Sequence, residues 1–273
     1  MTRYQRMFDR LDREGAGAFV PFSVLGDPDA ETSLAFVRQL AVSGADALEL
    51  GLPFSDPVAD GPVVQAAATR ALDAGVTQED CWAIVEKVRK EFPELPIGLL
   101  VYANLVMHQQ VDRFYARARD AGVDSVLVAD APMMEAGPLV DSAQRHGVSP
   151  VFIAPPNASE SSLARIASQS ESYVYVVSRA GVTGADEALR VDAEALIGRL
   201  VALGSAPPLL GFGISTPVHV RSALAMGARG AISGSAVVGY IERQRDNPVE
   251  MLAAVGRFVE QMKAATLSGG SDA

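Results

Sequence analysis

Two carboxylates stand close together around an apolar stretch of the chain. Glu49 lies within Ala47-Leu-Glu-Leu-Gly51, and Asp60 lies in the loop that runs from Gly51 to Pro62. Side chains alternate along a strand, so Leu48 and Leu50 can pack outward while Glu49 points the other way. A carboxylate in so apolar a segment is costly unless paired, protonated or used. Desolvation is expected to raise its pKa, which suits a group that both gives and takes a proton. The alternative is a Glu satisfied by an arginine or by backbone donors. Asp60 and Asp56 hang from a loop stiffened by Pro53, Pro57 and Pro62. Asp in a loop is also ordinary turn or cap chemistry, but this loop directly follows the Glu49 segment and can hold a second carboxylate over the same site.

Glycines form a second constellation at Gly181-Val-Thr-Gly184, Gly211-Phe-Gly213 and Gly234-Ser235. Small residues let backbone N–H groups approach an oxyanion, and the apolar helix start after Gly234-Ser235 would add a favourable dipole. Other chemistries find no support. His108, His146 and His219 lack metal-ligand spacing and read as surface or capping residues, so no metal site is expected. Cys81 precedes Trp82 in an amphipathic helical pattern and reads as core. No GxSxG or GxxxxGK[ST] motif occurs, and no lysine stands near the sixth strand to form a Schiff base. Carbon–carbon chemistry here would run by acid and base.

These residues need elements to position them. A theme of Gly, a polar step and an apolar run recurs at Gly44–Leu50, Gly122–Val128, Gly147–Ile153 and Gly227–Ser233, each marking a helix-to-strand joint. Filling in between gives strands at Ala18–Val24, Ala47–Leu50, Ile97–Val101, Ser125–Val128, Pro150–Ile153, Tyr173–Val177, Leu209–Phe212 and Gly230–Ile232. Helical patterns alternate with them, as at Thr32–Val42, Glu79–Glu91, Val111–Ala121 and Ala193–Leu203. Eight strand–helix units favour an α/β fold of one domain, a closed (β/α)8 TIM barrel with an extra N-terminal helix, over an open doubly wound sheet. That domain is expected over residues 1–267, with 268–273 a disordered tail. In such a barrel the strand C-terminal ends gather at one face, where both carboxylates and all three glycine groups fall.

Composition agrees with an enzyme of small anions. The chain has 273 residues, 49% apolar, with a net charge of −10. That charge argues against a nucleic-acid binder, whose affinity rests on clustered Lys and Arg. It leaves room for anionic substrates held by backbone N–H groups. One cysteine excludes an internal disulfide. The absence of an apolar leader or a long apolar run predicts a cytoplasmic protein with no membrane span.

Leu48-Glu-Leu-Gly-Leu-Pro-Phe-Ser-Asp-Pro-Val-Ala-Asp-Gly-Pro62 closely resembles the signature of the tryptophan synthase alpha chain family. Gly17–Phe22, Leu25–Pro28, Tyr102–Leu105, Ser178-Arg179 with Gly181–Gly184, Gly211–Ser215 and Gly230–Ala236 resemble family blocks in family order. The resemblance implies retro-aldol cleavage of indole-3-glycerol phosphate to indole and glyceraldehyde 3-phosphate. It implies that Glu49 moves the proton and that Asp60 stabilises charge near the indole N–H. Tyr102 and Tyr175 would line the site, while Thr183 closes on Asp60 in a loop beginning at Arg179. Inward strand-end residues Phe22, Leu100, Leu127, Ala129, Ile153, Phe212 and Ile232 would supply an apolar indole pocket. Gly184, Gly213, Gly234 and Ser235 would hold the phosphate. The resemblance further implies a separate beta chain carrying pyridoxal phosphate, in an α2β2 complex, with no cofactor in this chain. The docking surface would include Asp56, Pro57, Asn104 and Pro132. A free-standing lyase and a non-catalytic docking barrel are the alternatives.

Overall fold

The computed structural model describes residues 1–177 and 187–267, with backbone only at 187–191. The strands are β1 (Ala18–Val24), β2 (Leu48–Gly51), β3 (Ile97–Val101), β4 (Ser125–Val128), β5 (Ser149–Ala154), β6 (Val174–Val177), β7 (Pro208–Gly211) and β8 (Gly230–Ser233). All pair in parallel in chain order, and β8 returns to β1 to close the barrel. Three strands have the expected bounds, and the others differ by one residue at one or both ends. The seventh stops before Phe212 because that residue turns to a positive φ of 76°, which no strand accommodates.

The surrounding helices are α1 (Arg3–Glu14), α2 (Ala30–Val42), α3 (Pro62–Asp73), α4 (Gln78–Glu91), α5 (Ala103–His108), α6 (Val111–Ala121), α7 (Gly137–Arg145), α8 (Glu160–Gln169), α9 (Glu187–Ala202), α10 (Pro217–Ala225), α11 (Ser235–Gln244) and α12 (Pro248–Ala264). α2 begins two residues before its expected start, because the Asp29 carboxylate caps it by accepting from Thr32 N at 2.8 Å. Gly44, Gly122, Gly147 and Gly227, the first residues of the recurring theme, all have positive φ. They are the left-handed stops that turn each helix toward its strand.

Helix α1 is the extra N-terminal helix, and it closes the bottom of the barrel. A Thr2–Gln5 capping box starts it and left-handed Gly15 ends it. Its apolar stripe, Tyr4, Met7, Phe8 and Leu11, packs among the interior residues Val20, Ala47, Leu127, Val151, Tyr173, Leu209 and Ile232. Burying each such side chain is worth about 1.5–3 kcal/mol, so the plug adds substantially to the barrel's stability. Arg3 and Arg10 of α1 also reach Asp124 and Asp46, just before β4 and β2.

Leu48 and Leu50 face the helix layer, whose core holds Cys81 and Trp82 on α4. Trp82 is fully buried, edge-on to Phe114 at 5.6 Å, with the Arg117 guanidinium 5.5 Å from its ring centroid. Among the described residues, no helix is long and apolar enough to cross a membrane. The segment 268–273, expected as a tail, lies outside the described residues.

Candidate active site

Glu49 sits in the middle of β2, between Phe22 of β1 and Gly98 of β3 in register. Its side chain points into the barrel as the alternation requires, and the residue is 2% exposed. Among the described residues its hydrogen-bond partner is Tyr173, whose hydroxyl donates to Oε1 at 2.9 Å. Below lies the Tyr4 hydroxyl, 3.0 Å from Ser125 Oγ, in space that a side chain at position 98 would fill. Burial pushes the Glu49 carboxyl up to about 7, against the Tyr173 hydrogen bond that favours the charged form, while Asp60 nearby adds to the rise. A carboxyl near neutrality is populated in both protonation states.

The loop after β2 brings in Asp60. Asp60 N donates to Pro57 O, Val58 N to Asp56 O, and Gln65 on α3 donates to the Asp60 carbonyl at 2.8 Å. Tyr102, buried where β3 passes into α5, supports the loop from beneath. Its ring stacks on Phe54 at 5.3 Å, and its hydroxyl accepts from Ala59 N at 3.1 Å. Asp60 is half-buried, and this raises its pKa above the usual carboxylate value, opposed by a hydrogen bond from Tyr102.

The two carboxylates share a cavity of about 300 Å³, at the small end of the range for ligand clefts. Phe22, Leu100, Val63, Val64 and Ile214 give it apolar walls, and Tyr175 and Phe212 complete them. The Tyr175 ring occupies the space beside Gly211, where a Cβ would come within 2.2 Å of it. On the far side stand Gly213, Gly234 and Ser235. Gly234 is the N-cap of α11, so the unpaired N–H groups of that helix start at the cavity wall. None of the described lining residues is a cation, so an anion here would rest on backbone N–H groups and the helix dipole.

Some expected site residues are not among the described lining of this cavity. Leu127 and Ile232 are buried in the barrel interior with the α1 plug, and Ala129 and Ile153 pack against that cluster; none of the four lines the cavity. Tyr102 likewise supports the Asp60 loop from outside the lining. Arg179, Thr183 and Gly184 lie outside the described residues. Asp56, Asn104 and Pro132 are exposed and Pro57 is half-exposed, all on loops or helix starts after β2, β3 and β4. Met134 and Val58 are also exposed, at 82% and 79%.

Sequence reasoning missed Tyr173, although it stands two residues before Tyr175 and so on the same face of the sixth strand. It also missed Val63 and Val64, the first turn of α3, which no local pattern aims at the mouth. His219, read as a surface or capping residue, is buried at 7% exposure, with Nδ1 accepting from Ser215 N. Among the described residues, no group of three or more His, Cys, Asp or Glu is placed to hold a metal ion.

The model of the tryptophan synthase alpha chain family matches residues 8–267. The tryptophan synthase alpha chain of Shewanella oneidensis is 54% identical over 265 residues, covering 97% of this chain and 95% of that protein. That of Edwardsiella ictaluri is 54% identical over 266 residues, covering 97% and 99%. Among solved structures, the alpha chain from Legionella pneumophila superposes with a TM-score of 0.89 at 30% identity, over the whole of both chains. A chain from a Pyrococcus furiosus structure, described as the tryptophan synthase α2β2 complex, superposes with a TM-score of 0.83 at 35% identity, covering 91% of this chain and 98% of that one. With the match running from the α1 plug through the last helix, this chain belongs to the tryptophan synthase alpha chain family.

Proposed function

We propose that this chain cleaves indole-3-glycerol phosphate to indole and glyceraldehyde 3-phosphate, with Glu49 as the acid and base. The observation that carries the reading is a buried carboxyl with a pKa of about 7, set into a cavity that also holds Asp60 and a wall of helix and glycine N–H groups. Protonated Glu49 gives its proton to C3 of the indole ring, which makes the ring an electron sink. The resulting carboxylate takes the proton of the side-chain hydroxyl beside the breaking bond. The C–C electron pair flows into the ring, the aldehyde forms, and Glu49 ends protonated as it began. The net change is one proton moved from oxygen to carbon, with no redox partner required.

Asp60 stabilises positive charge that builds on the ring nitrogen when C3 is protonated. Phe22, Leu100, Tyr175 and Phe212 hold the indole ring in the apolar part of the cavity. Gly213, Gly234 and Ser235 hold the phosphate through backbone N–H groups. The expected roles of Thr183 and Arg179 in closing the site, and of Gly184 at the phosphate, belong to the same reading.

Indole is then passed to a beta chain that carries the pyridoxal phosphate, in an α2β2 assembly; we assign no cofactor to this chain. The exposed residues Asp56, Pro57, Asn104 and Pro132 are the docking surface. Asp56 and Pro57 lie on the loop that carries Asp60, and Asn104 follows Tyr102, which supports that loop, so docking can bias its position. The test is release of glyceraldehyde 3-phosphate from indole-3-glycerol phosphate, by the chain alone and with a beta chain added. A slow rate that rises sharply with the partner is expected. A fast rate indifferent to the partner would mark a free-standing lyase, and no product in either case would leave only a docking protein.

A further inference from the structure

Phe212 and Gly213 follow β7 with φ of 76° and 75°, two consecutive residues in the left-handed region. Glycine adopts this freely, but in phenylalanine the Cβ crowds the following carbonyl. The Phe212 side chain is 56% exposed, so its burial does not offset the strain. A backbone of this kind persists only where its surroundings over-determine it. Two polar side chains do so. Ser233, the fully buried last residue of β8, donates to Ile214 O at 2.6 Å. His219 of α10 accepts on Nδ1 from Ser215 N at 3.2 Å, with Ser215 Oγ at 3.3 Å from the same nitrogen. Because Nδ1 accepts, the neutral ring carries its proton on Nε2.

Each of the two residues directly after the strained turn is thus fastened, one from the neighbouring strand and one from the helix behind. Ser233 also precedes Gly234 in the chain. Its hydroxyl therefore ties the turn that carries Gly213 to the junction that carries Gly234 and Ser235. Neither Ser233 nor His219 lines the cavity.

We propose that Ser233 and His219 are positioning residues that fix the spacing between the two halves of the anion wall, Gly213 on one side and Gly234-Ser235 on the other. This rests on the reading of that wall as the phosphate site. Backbone N–H groups bind an oxyanion well only when they converge on it, and with no cation in the described lining their geometry decides the affinity. Losing either fastener releases the turn and weakens the phosphate end of the ligand, leaving the indole end unaffected.

The experiment compares Ser233→Ala, His219→Ala, His219→Asn and Gly234→Asp with the wild type. It measures binding of glyceraldehyde 3-phosphate and of indole separately, and kcat and KM for indole-3-glycerol phosphate. Losing one buried hydrogen bond predicts affinity for glyceraldehyde 3-phosphate about tenfold weaker in Ser233→Ala and about threefold weaker in His219→Ala. KM should rise in parallel, with kcat and indole affinity unchanged. His219→Asn should recover binding, because its amide oxygen can stand where Nδ1 accepts. Gly234→Asp, where a Cβ meets only Phe22 at ordinary contact distance, puts a carboxylate against the phosphate and should abolish binding. Should Ser233→Ala not fold, the His219 pair carries the same comparison. Normal glyceraldehyde 3-phosphate binding in the Ser233 and His219 variants, with Gly234→Asp defective, would overturn the positioning role alone. Equal weakening of both ligands would overturn it too, as general loosening. Unimpaired binding in Gly234→Asp would remove the phosphate wall itself.

Discussion

At the end of the barrel closed by α1, Asp46 accepts from Lys263 at 2.7 and 2.9 Å, from Arg10 at 2.7 Å and from Phe19 N at 2.9 Å. Asp124 accepts there from Arg3, Arg89 and Ile97 N, at 2.7 to 2.9 Å. At the open end, Glu49 has a tyrosine hydroxyl and Asp60 a tyrosine hydroxyl, with no cation in the described lining. Both ends take carboxylates out of water, and among the described residues only one end pairs them with cations. A carboxylate ringed by arginine and lysine serves as a fastener between α1, α12 and the strand starts. Glu49, buried beside a phenol, has its proton affinity raised by that burial, and can exchange a proton near neutral pH. The same residue type thus holds the fold at one end and does chemistry at the other, and the difference is the partner.

The sharpest break of this comparison is Glu49→Gln. Turnover should fall by about 10²–10⁴-fold, the usual contribution of a positioned general acid–base group, measured as glyceraldehyde 3-phosphate release. Stability should move the other way. The folded-state pKa of Glu49 is raised, so its stabilising contribution is full below its ordinary value near 4.5 and is lost as pH rises through about 7. A glutamine cannot ionise, so denaturant unfolding above pH 7 should show the variant more stable by on the order of 3 kcal/mol. A loss of stability at that pH would mean that Glu49 is held as Asp46 is.

Asp46→Asn should give the mirror result. Removing one partner of a buried pair costs about 3–5 kcal/mol, so its unfolding midpoint should drop while kcat per folded molecule stays near wild type. Tyr173→Phe is a smaller probe. Its hydroxyl favours the charged form of Glu49, so its loss should move the acid–base inflection of the pH–rate profile upward by about one unit. An unmoved profile would deny that this phenol sets the carboxyl. Smallest of all, Arg10→Ala removes an ion-pair partner that is 42% exposed, and should cost no more than about 1 kcal/mol in a thermal melt. Lys263 remains to hold Asp46.

The barrel was legible because its strands are short apolar runs, several of them preceded by left-handed glycines such as Gly44, Gly122, Gly147 and Gly227. Glu49 was legible for the same reason, as the one charge in such a run on the inward face. The rest depended on contacts across the barrel that no window of sequence contains. Glu49 and Tyr173 are 124 residues apart, and so a tyrosine took the place of the arginine or backbone partner weighed from the sequence. Periodicity names the inward face of a strand without giving the depth along it. It groups Leu127 and Ile232 with Leu100, although only Leu100 of the three is among the residues that line the cavity. His219 carried no pattern at all, since its partner is an amide in a turn shaped by an unusual Phe212 backbone.

The placement of Trp82 has an optical consequence. It is the one tryptophan of the chain, buried between helices and absent from the described lining of the active-site cavity. Its emission therefore reports on the packing of α4 against α6, and ligands entering the mouth should leave it nearly silent. Indole, itself a fluorophore, would be seen against that steady background, so product formation and unfolding can be followed as separate signals in one cuvette.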